Sequence, residues 1–134
     1  MIALVTGGFA PLHIGHLRML EAAQAFGRVV VGLNSDAWLE RKRGRPVPKG
    51  LQWDDRRQLL EANKYVSIVL HFDDSDGTVC DLLERLRPDF FLNGGDRKSA
   101  NEKEHAVCER IGIREVFGVG GDKLRSSSEI CGIR

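Results

Sequence analysis

The chain lacks the features that mark several broad classes of protein. Its three cysteines, Cys80, Cys108 and Cys131, lie far apart and form no CxxC pair, which argues against a zinc site and against a disulfide framework. They read as reduced thiols of a cytosolic protein. No apolar run approaches the length needed to span a bilayer. The amino terminus, MIALVTGGF, has no basic region ahead of its short apolar run and leads straight into glycines. No signal peptide is expected, and the expected location is the cytoplasm. Excess charge is missing too: 20 Lys and Arg against 19 Asp and Glu leave +1. No global pull toward nucleic acid or an anionic membrane follows, and neither is expected as a partner. There are no repeats or low-complexity tracts, and no GxGxxG turn, the signature of a dinucleotide-dependent oxidoreductase.

What remains is 134 residues, 42% apolar and 29% charged, the mixture of an ordinary globular domain with room for a core. Residues 1–134 are expected to form a single domain. Short apolar runs alternate with amphipathic stretches. Strands are expected at Ile2–Val5, Val29–Leu33, Val66–Phe72, Phe90–Leu92 and Arg114–Val119. Helices are expected at Gly15–Phe26 (stopped by Gly27), Trp53–Lys64, Thr78–Leu86 (closed before Pro88), Glu102–Ile111 and Ser127–Ile133. Alternation of this kind predicts an α/β, Rossmann-like three-layer αβα fold around a five-stranded parallel sheet. The continuous apolar run VVVGL suits a strand buried on both faces. Ligands of such sheets bind beyond the carboxyl ends of the strands, at the topological switch point. The segment Arg41–Gln52, RKRGRPVPKGLQ, is basic, holds two prolines and two glycines and shows no apolar period. It is expected to be an exposed, mobile loop able to close over a ligand.

The first strand runs into Gly7-Gly8-Phe9-Ala10-Pro11-Leu12-His13-Ile14-Gly15-His16. Glycines after a strand let backbone N–H groups approach a phosphate closely. His13 and His16, one helical turn apart, lie on one face of the helix start, where the helix dipole adds partial positive charge. Donors gather there without a carboxylate base or a nucleophile, a combination suited to an anionic phosphate chain.

This stretch resembles the GxFxxxHxGH signature of the cytidylyltransferase-like nucleotidyltransferase superfamily, a far more specific pattern than a lone glycine turn. Five further matches follow in order. Asn34-Ser35-Asp36 is similar to the NSD of heptose 1-phosphate adenylyltransferases, and RKRGRPV to their lysine-bearing RLKGxxRPV loop. Arg56 matches an arginine of these enzymes and of glycerol-3-phosphate cytidylyltransferase. Asn93-Gly94-Gly95-Asp96 is similar to a KGGD or MGDD loop, and Ser126-Ser127-Ser128-Glu129-Ile130 to STTxI. Two departures stand out. Ala10 occupies the position where the family usually has Asp, and the arginine that often precedes the serine run is displaced, with Lys123 and Arg125 nearby.

The resemblance implies transfer of a nucleoside monophosphate from ATP or CTP to a sugar phosphate or polyol phosphate, with release of pyrophosphate. His13 and His16 would contact the triphosphate and stabilise developing charge. Gly8 and Phe9 would offer backbone to the phosphates. Ser126, Ser127 and Ser128, with Arg125 beside them, would hold the β- and γ-phosphates. Lys42 and Arg43 would form a cationic lid, and Arg56 would meet the triphosphate or the acceptor phosphate. Asp96, with the backbone of Asn93, Gly94 and Gly95, would line the nucleoside pocket. Mg²⁺ would travel on the triphosphate, with no dedicated protein ligand, and the chain would form a homodimer as relatives often do. Each residue also has a plainer use. Lys42 and Arg43 would be solvated, Asp96 and the serines would cap helices, and Arg56 would pair with Asp54 or Asp55 at the surface. Trp38 and Trp53 read as packing residues, His71 and His105 as structural, and Asp73, Asp74 and Asp76 as a solvated turn. An alternative reading of the whole chain is a non-catalytic nucleotide-binding module of the same fold, with Ala10 as its mark.

Overall fold

The structure, a computed structural model, describes residues 1–94 and 101–121. Its elements in chain order are β1 (Ile2–Gly7), α1 (Ile14–Ala23), β2 (Arg28–Leu33), α2 (Asp36–Arg43), α3 (Trp53–Glu61), β3 (Ile68–His71), α4 (Cys80–Leu86), β4 (Phe90–Gly94), α5 (Glu102–Ile111) and β5 (Arg114–Val119). The five strands form one sheet in the order β3-β2-β1-β4-β5, and every pairing is parallel. The Rossmann-like α/β fold expected from the alternation is therefore present. The expected final helix, Ser127–Ile133, lies outside the described residues.

Both faces of the sheet are covered, and the strands show why their sequence runs are continuously apolar. Ala3 and Val5 of β1, Val29, Val31 and Leu33 of β2 and Leu92 of β4 pack with Leu20 and Ala23 of α1 and Leu60 of α3. The alternate residues Leu4, Val30 and Phe91 pack on the other face with Leu82 and Leu83 of α4 and Cys108 of α5. Side chains alternate across a strand, so a strand buried on two faces must be apolar at every step.

The strand order places the ligand crevice. From β1 the chain winds outward through β2 to β3, then returns to the other side of β1 for β4 and β5. The carboxyl ends of β1 and β4 thus flank the switch point. Val5 lies opposite Leu92, so Asn93 and Gly94 reach the same edge as Thr6 and Gly7.

Two expectations are corrected here. The basic segment is not a loop from Arg41 onward, because Arg41, Lys42 and Arg43 form the last turn of α2. Ser35 caps the start of this helix by accepting from Trp38 N–H at 3.1 Å. Asp36 sits in the first turn, the three cations sit in the last, and Gly44 closes the helix at φ +73°. Each choice suits the helix ends and the macrodipole. Nor is Asp74 part of a solvated turn. It is buried, and its carboxylate accepts from Asn34 Nδ2 (3.0 Å), Ser35 N (2.8 Å) and Ser35 Oγ (2.7 Å). It moors the β2–α2 junction to the loop after β3.

Candidate active site

The turn between β1 and α1 is built around its two histidines. His13 is the N-cap of α1, and its Nδ1 accepts from Gly15 N–H at 3.1 Å. His16 reaches back, and its Nδ1 accepts from His13 N–H at 3.2 Å. Imidazoles thus perform the reciprocal exchange usually made by Ser and Glu in a capping box. A ring nitrogen that accepts carries no proton, so the proton of each ring is on Nε2, on the side away from the capped backbone. The rings stack at 3.7 Å with 23° between their planes. Phe9 meets His16 edge-on at 4.7 Å and limits its rotation.

The motif's spacing follows from this packing. A Cβ at Gly15 would lie 3.0 Å from His13 Cε1, a tight contact that glycine avoids where the ring folds over the helix start. A Cβ at Gly8 would lie 2.8 Å from Leu39 Cδ2, so glycine there lets α2 close against the turn. Phe9 is buried at φ +50°, a left-handed conformation that costs a non-glycine residue about 1 kcal/mol or more.

Arg56 is placed differently from either sequence expectation. It does not pair with Asp54 or Asp55, and it is not at the surface: only 1% of it is exposed. Its guanidinium donates to the carbonyls of Leu51 (2.7 Å), Gly8 (2.8 Å) and Asn34 (2.9 Å) and to the Asp36 carboxylate (2.6 Å). Burial pulls its pKa below the ordinary arginine value, while hydrogen bonding to Asp36 opposes that pull. Arg56 therefore ties the turn after β1 to the start of α2. Because it holds the Gly8 carbonyl, the N–H of the same trans peptide, that of Phe9, points the opposite way.

The cations of α2 border the turn on one side. Arg43 donates from Nη2 to the Ala10 carbonyl at 2.5 Å. Lys42 places Nζ 4.8 Å from the centre of the Trp38 ring. Arg41 donates to the Asp74 carbonyl at 3.3 Å. On the other side, β4 carries Asn93 and Gly94 past a register shift to the carboxyl edge. Among the described residues two buried side-chain nitrogens have no hydrogen-bond partner, Arg43 Nε and Asn93 Nδ2. Unpaired buried donors cost about 1–3 kcal/mol each. Arg43 borders the histidine turn, Asn93 lies at the carboxyl end of β4, and both nitrogens are donors, as an anionic or carbonyl-rich ligand requires.

The structure thus gathers Gly8, Phe9, His13, His16, Arg43 and the buried Arg56 around one turn, with Lys42 on α2 and Asn93 and Gly94 on β4. Gly95, Asp96, Arg125, Ser126, Ser127 and Ser128 lie outside the described residues. Trp53 packs as expected, donating from Nε1 to the Leu33 carbonyl at 3.1 Å and meeting His71 edge-on at 5.7 Å. His105 pairs with Glu115 (2.6 Å) and Glu109 (3.2 Å) at the surface. Asp74 is the residue that sequence reasoning missed. Nothing in its local pattern separates it from Asp73 and Asp76, because its role comes from a loop forty positions away.

The sequence profile described as cytidylyltransferase-like matches residues 4–124. The bifunctional protein HldE of Koribacter versatilis is 37% identical over 122 residues, which is 90% of this chain and 23% of that protein. HldE of Magnetococcus marinus is 38% identical over 125 residues, 92% of this chain and 22% of that protein. The chain therefore spans under a quarter of the length of these relatives. A crystal structure of a lipopolysaccharide core biosynthesis protein from Thermoplasma volcanium superposes with a TM-score of 0.70 at 22% identity, covering 88% of this chain and 93% of that one. At that identity the likeness establishes the fold.

Proposed function

This chain belongs to the cytidylyltransferase-like family, and from that premise we propose that it transfers the nucleoside monophosphate of ATP or CTP to a sugar phosphate or polyol phosphate and releases pyrophosphate. The observation that carries the reading is the pair of stacked imidazoles that cap α1 through Nδ1 at the carboxyl end of β1. Their Nε2–H groups are fixed donors at a helix start, beside the switch point. Such donors stabilise charge on phosphate oxygens without reorganising at the moment of reaction.

In the proposed reaction an oxygen of the acceptor phosphate forms a bond to the α-phosphorus. The bond from that phosphorus to the bridging oxygen of the β-phosphate breaks, and pyrophosphate leaves with the electron pair. A phosphate dianion is a competent nucleophile at neutral pH, so no general base is needed. Catalysis is positioning plus electrostatics. Lys42 and Arg43 close over the phosphates, and the Phe9 N–H adds a backbone donor. Arg56 acts as a positioning residue, which revises its expected contact with a phosphate. Mg²⁺ arrives on the triphosphate. Among the described residues the carboxylates at this edge, Asp36 and Asp74, are committed to Arg56 and to Asn34 and Ser35, which favours an ion that would be brought in by the triphosphate over one held by these side chains. Asp96, Gly95, Arg125 and Ser126–Ser128 complete the nucleoside and polyphosphate subsites in this proposal, and the active form is a homodimer.

The test is pyrophosphate release from each of ATP, CTP, GTP and UTP with Mg²⁺ and a panel of sugar and polyol phosphates. Release with ATP or CTP that depends on the acceptor supports the reading. Triphosphate binding with no release from any pair would instead assign a non-catalytic nucleotide-binding module.

A further inference from the structure

Beside the histidine turn lies a cavity of about 60 Å³, walled by Ala10, Leu39, Pro46, Val47, Pro48 and Leu51 and bordered by Arg43 and Arg45. The lining has a marked chemical bias. Its six wall residues are apolar, and its two polar side chains are guanidiniums, which donate hydrogen bonds and accept none. The Ala10 carbonyl accepts from Arg43. Arg43 also keeps a buried Nε with no partner. Ala10 itself is 1% exposed and occupies the position where the resemblance would place a carboxylate.

We infer that this cavity selects a phosphate monoester with a deoxygenated, hydrocarbon edge next to its phosphate, and disfavours one hydroxylated there. The inference rests on the proposed transfer reaction and narrows its acceptor class to deoxy-sugar or alkyl-type phosphates. The phosphate meets Arg43 and Arg45, supplying the acceptor that the buried Nε lacks. The carbons beyond its ester CH2 lie among Leu39, Val47 and Leu51. A hydroxyl entering this space gives up water, and its proton finds no acceptor among the lining side chains. Loss of that one partner disfavours the hydroxylated ligand.

The test compares binding of propyl phosphate and glycerol 3-phosphate, a pair that share chain length and charge, to the full chain by titration calorimetry with Mg²⁺ and a non-hydrolysable triphosphate analogue. Propyl phosphate is expected to bind at least about 10-fold more tightly. Ala10→Asp restores an acceptor at position 10, and Val47→Thr restores one on a partly exposed wall where folding is not at risk. Either is expected to bring the two affinities to within about 2-fold of each other. A new charge at position 10 acts on both phosphates alike, so the ratio reads the hydroxyls. Equal or tighter binding of glycerol 3-phosphate by the unmodified chain overturns the inference, as does failure of both ligands to bind. A preference for propyl phosphate that neither variant alters overturns the assignment to this cavity. Propyl phosphate binding without pyrophosphate release would leave this selectivity standing and remove the transfer reaction instead.

Discussion

At the scale of single residues, His16 has a structural task and a proposed chemical one, and they use different ring nitrogens. Nδ1 closes the cap of α1, while Nε2–H is the proposed donor. Asn places its carbonyl oxygen near the position of Nδ1 but has nothing where Nε2 lies. His16→Asn is therefore expected to keep stability within about 0.5 kcal/mol, whereas His16→Ala loses the cap at a cost of about 1 kcal/mol. Both are expected to lower kcat by about 100-fold or more, as loss of one preorganised donor does. Urea denaturation alongside pyrophosphate release separates the effects, and near-normal turnover in His16→Asn would remove the role assigned to Nε2. His105 offers a test unconnected with the site. Its hydrogen bond to Glu115, with help from Glu109, raises its pKa above the ordinary value. The folded chain then holds that proton more tightly than the unfolded chain. The stabilisation is complete below the unfolded pKa, about 6.5, and fades as pH rises through the raised value. The Tm of His105→Gln should fall below that of the unmodified chain at pH 5.5, with the gap closing toward alkaline pH. A gap that stays constant would show that the pairing is not charge-dependent.

At the scale of elements, α2 shows what could be read from the sequence and what could not. Every end signal was present: Ser35 as cap, Asp36 in the first turn, three cations in the last and Gly44 beyond. The apolar period was absent, since Leu39 alone is buried, and a helix without a stripe resembles a polar loop. By contrast, α5 and β5 match their expected bounds, because Asn101 caps α5 and Gly112 stops it just ahead of β5. Arg56 was misjudged for another reason. A charged residue in a helix facing two carboxylates one and two positions away reads as solvated, yet its guanidinium reaches three carbonyls and Asp36 across the sheet edge. Such partners are invisible to local pattern, whereas the histidine turn is local and was legible as a whole. The helical setting of Lys42 and Arg43 changes what their loss should do. Replacing both with Ala removes last-turn cations worth about 0.3–1 kcal/mol each and the Trp38 contact worth about 0.5–1 kcal/mol. Lys42→Ala with Arg43→Ala is thus expected to cost about 2 kcal/mol of stability. Turnover should fall much further, by about 100-fold or more. Circular dichroism at the assay temperature decides the point: activity lost only in proportion to the unfolded fraction would make α2 a structural brace alone.

At the scale of the whole molecule, the site is an edge shared by two halves of the sheet. Arg56 and Asp74 lock the β1–β2–β3 half, with its turn and α2, into one unit. The β4–β5 half contributes Asn93 and its buried, unpaired Nδ2. A ligand that spans the switch point joins the halves and satisfies donors on both, so it should stabilise the fold as a unit instead of one loop. Binding to the native state alone adds about 2.7 kcal/mol at 100 times the dissociation constant, which for a domain of this size corresponds to a rise in Tm of about 10 °C. Mg-ATP or Mg-CTP is expected to produce such a rise, scaling with the logarithm of ligand concentration, while inorganic phosphate at the same concentration does not. Asn93→Leu removes the orphaned donor from the free protein. That change should leave the ligand-free Tm unchanged or higher, since a buried donor without a partner is a liability there. It should also reduce the ligand-induced rise, because the same donor gains its partner on binding. If Asn93→Leu left the rise intact, the β4 half would not touch the triphosphate, and the ligand would have to lie wholly on the β1–α2 side.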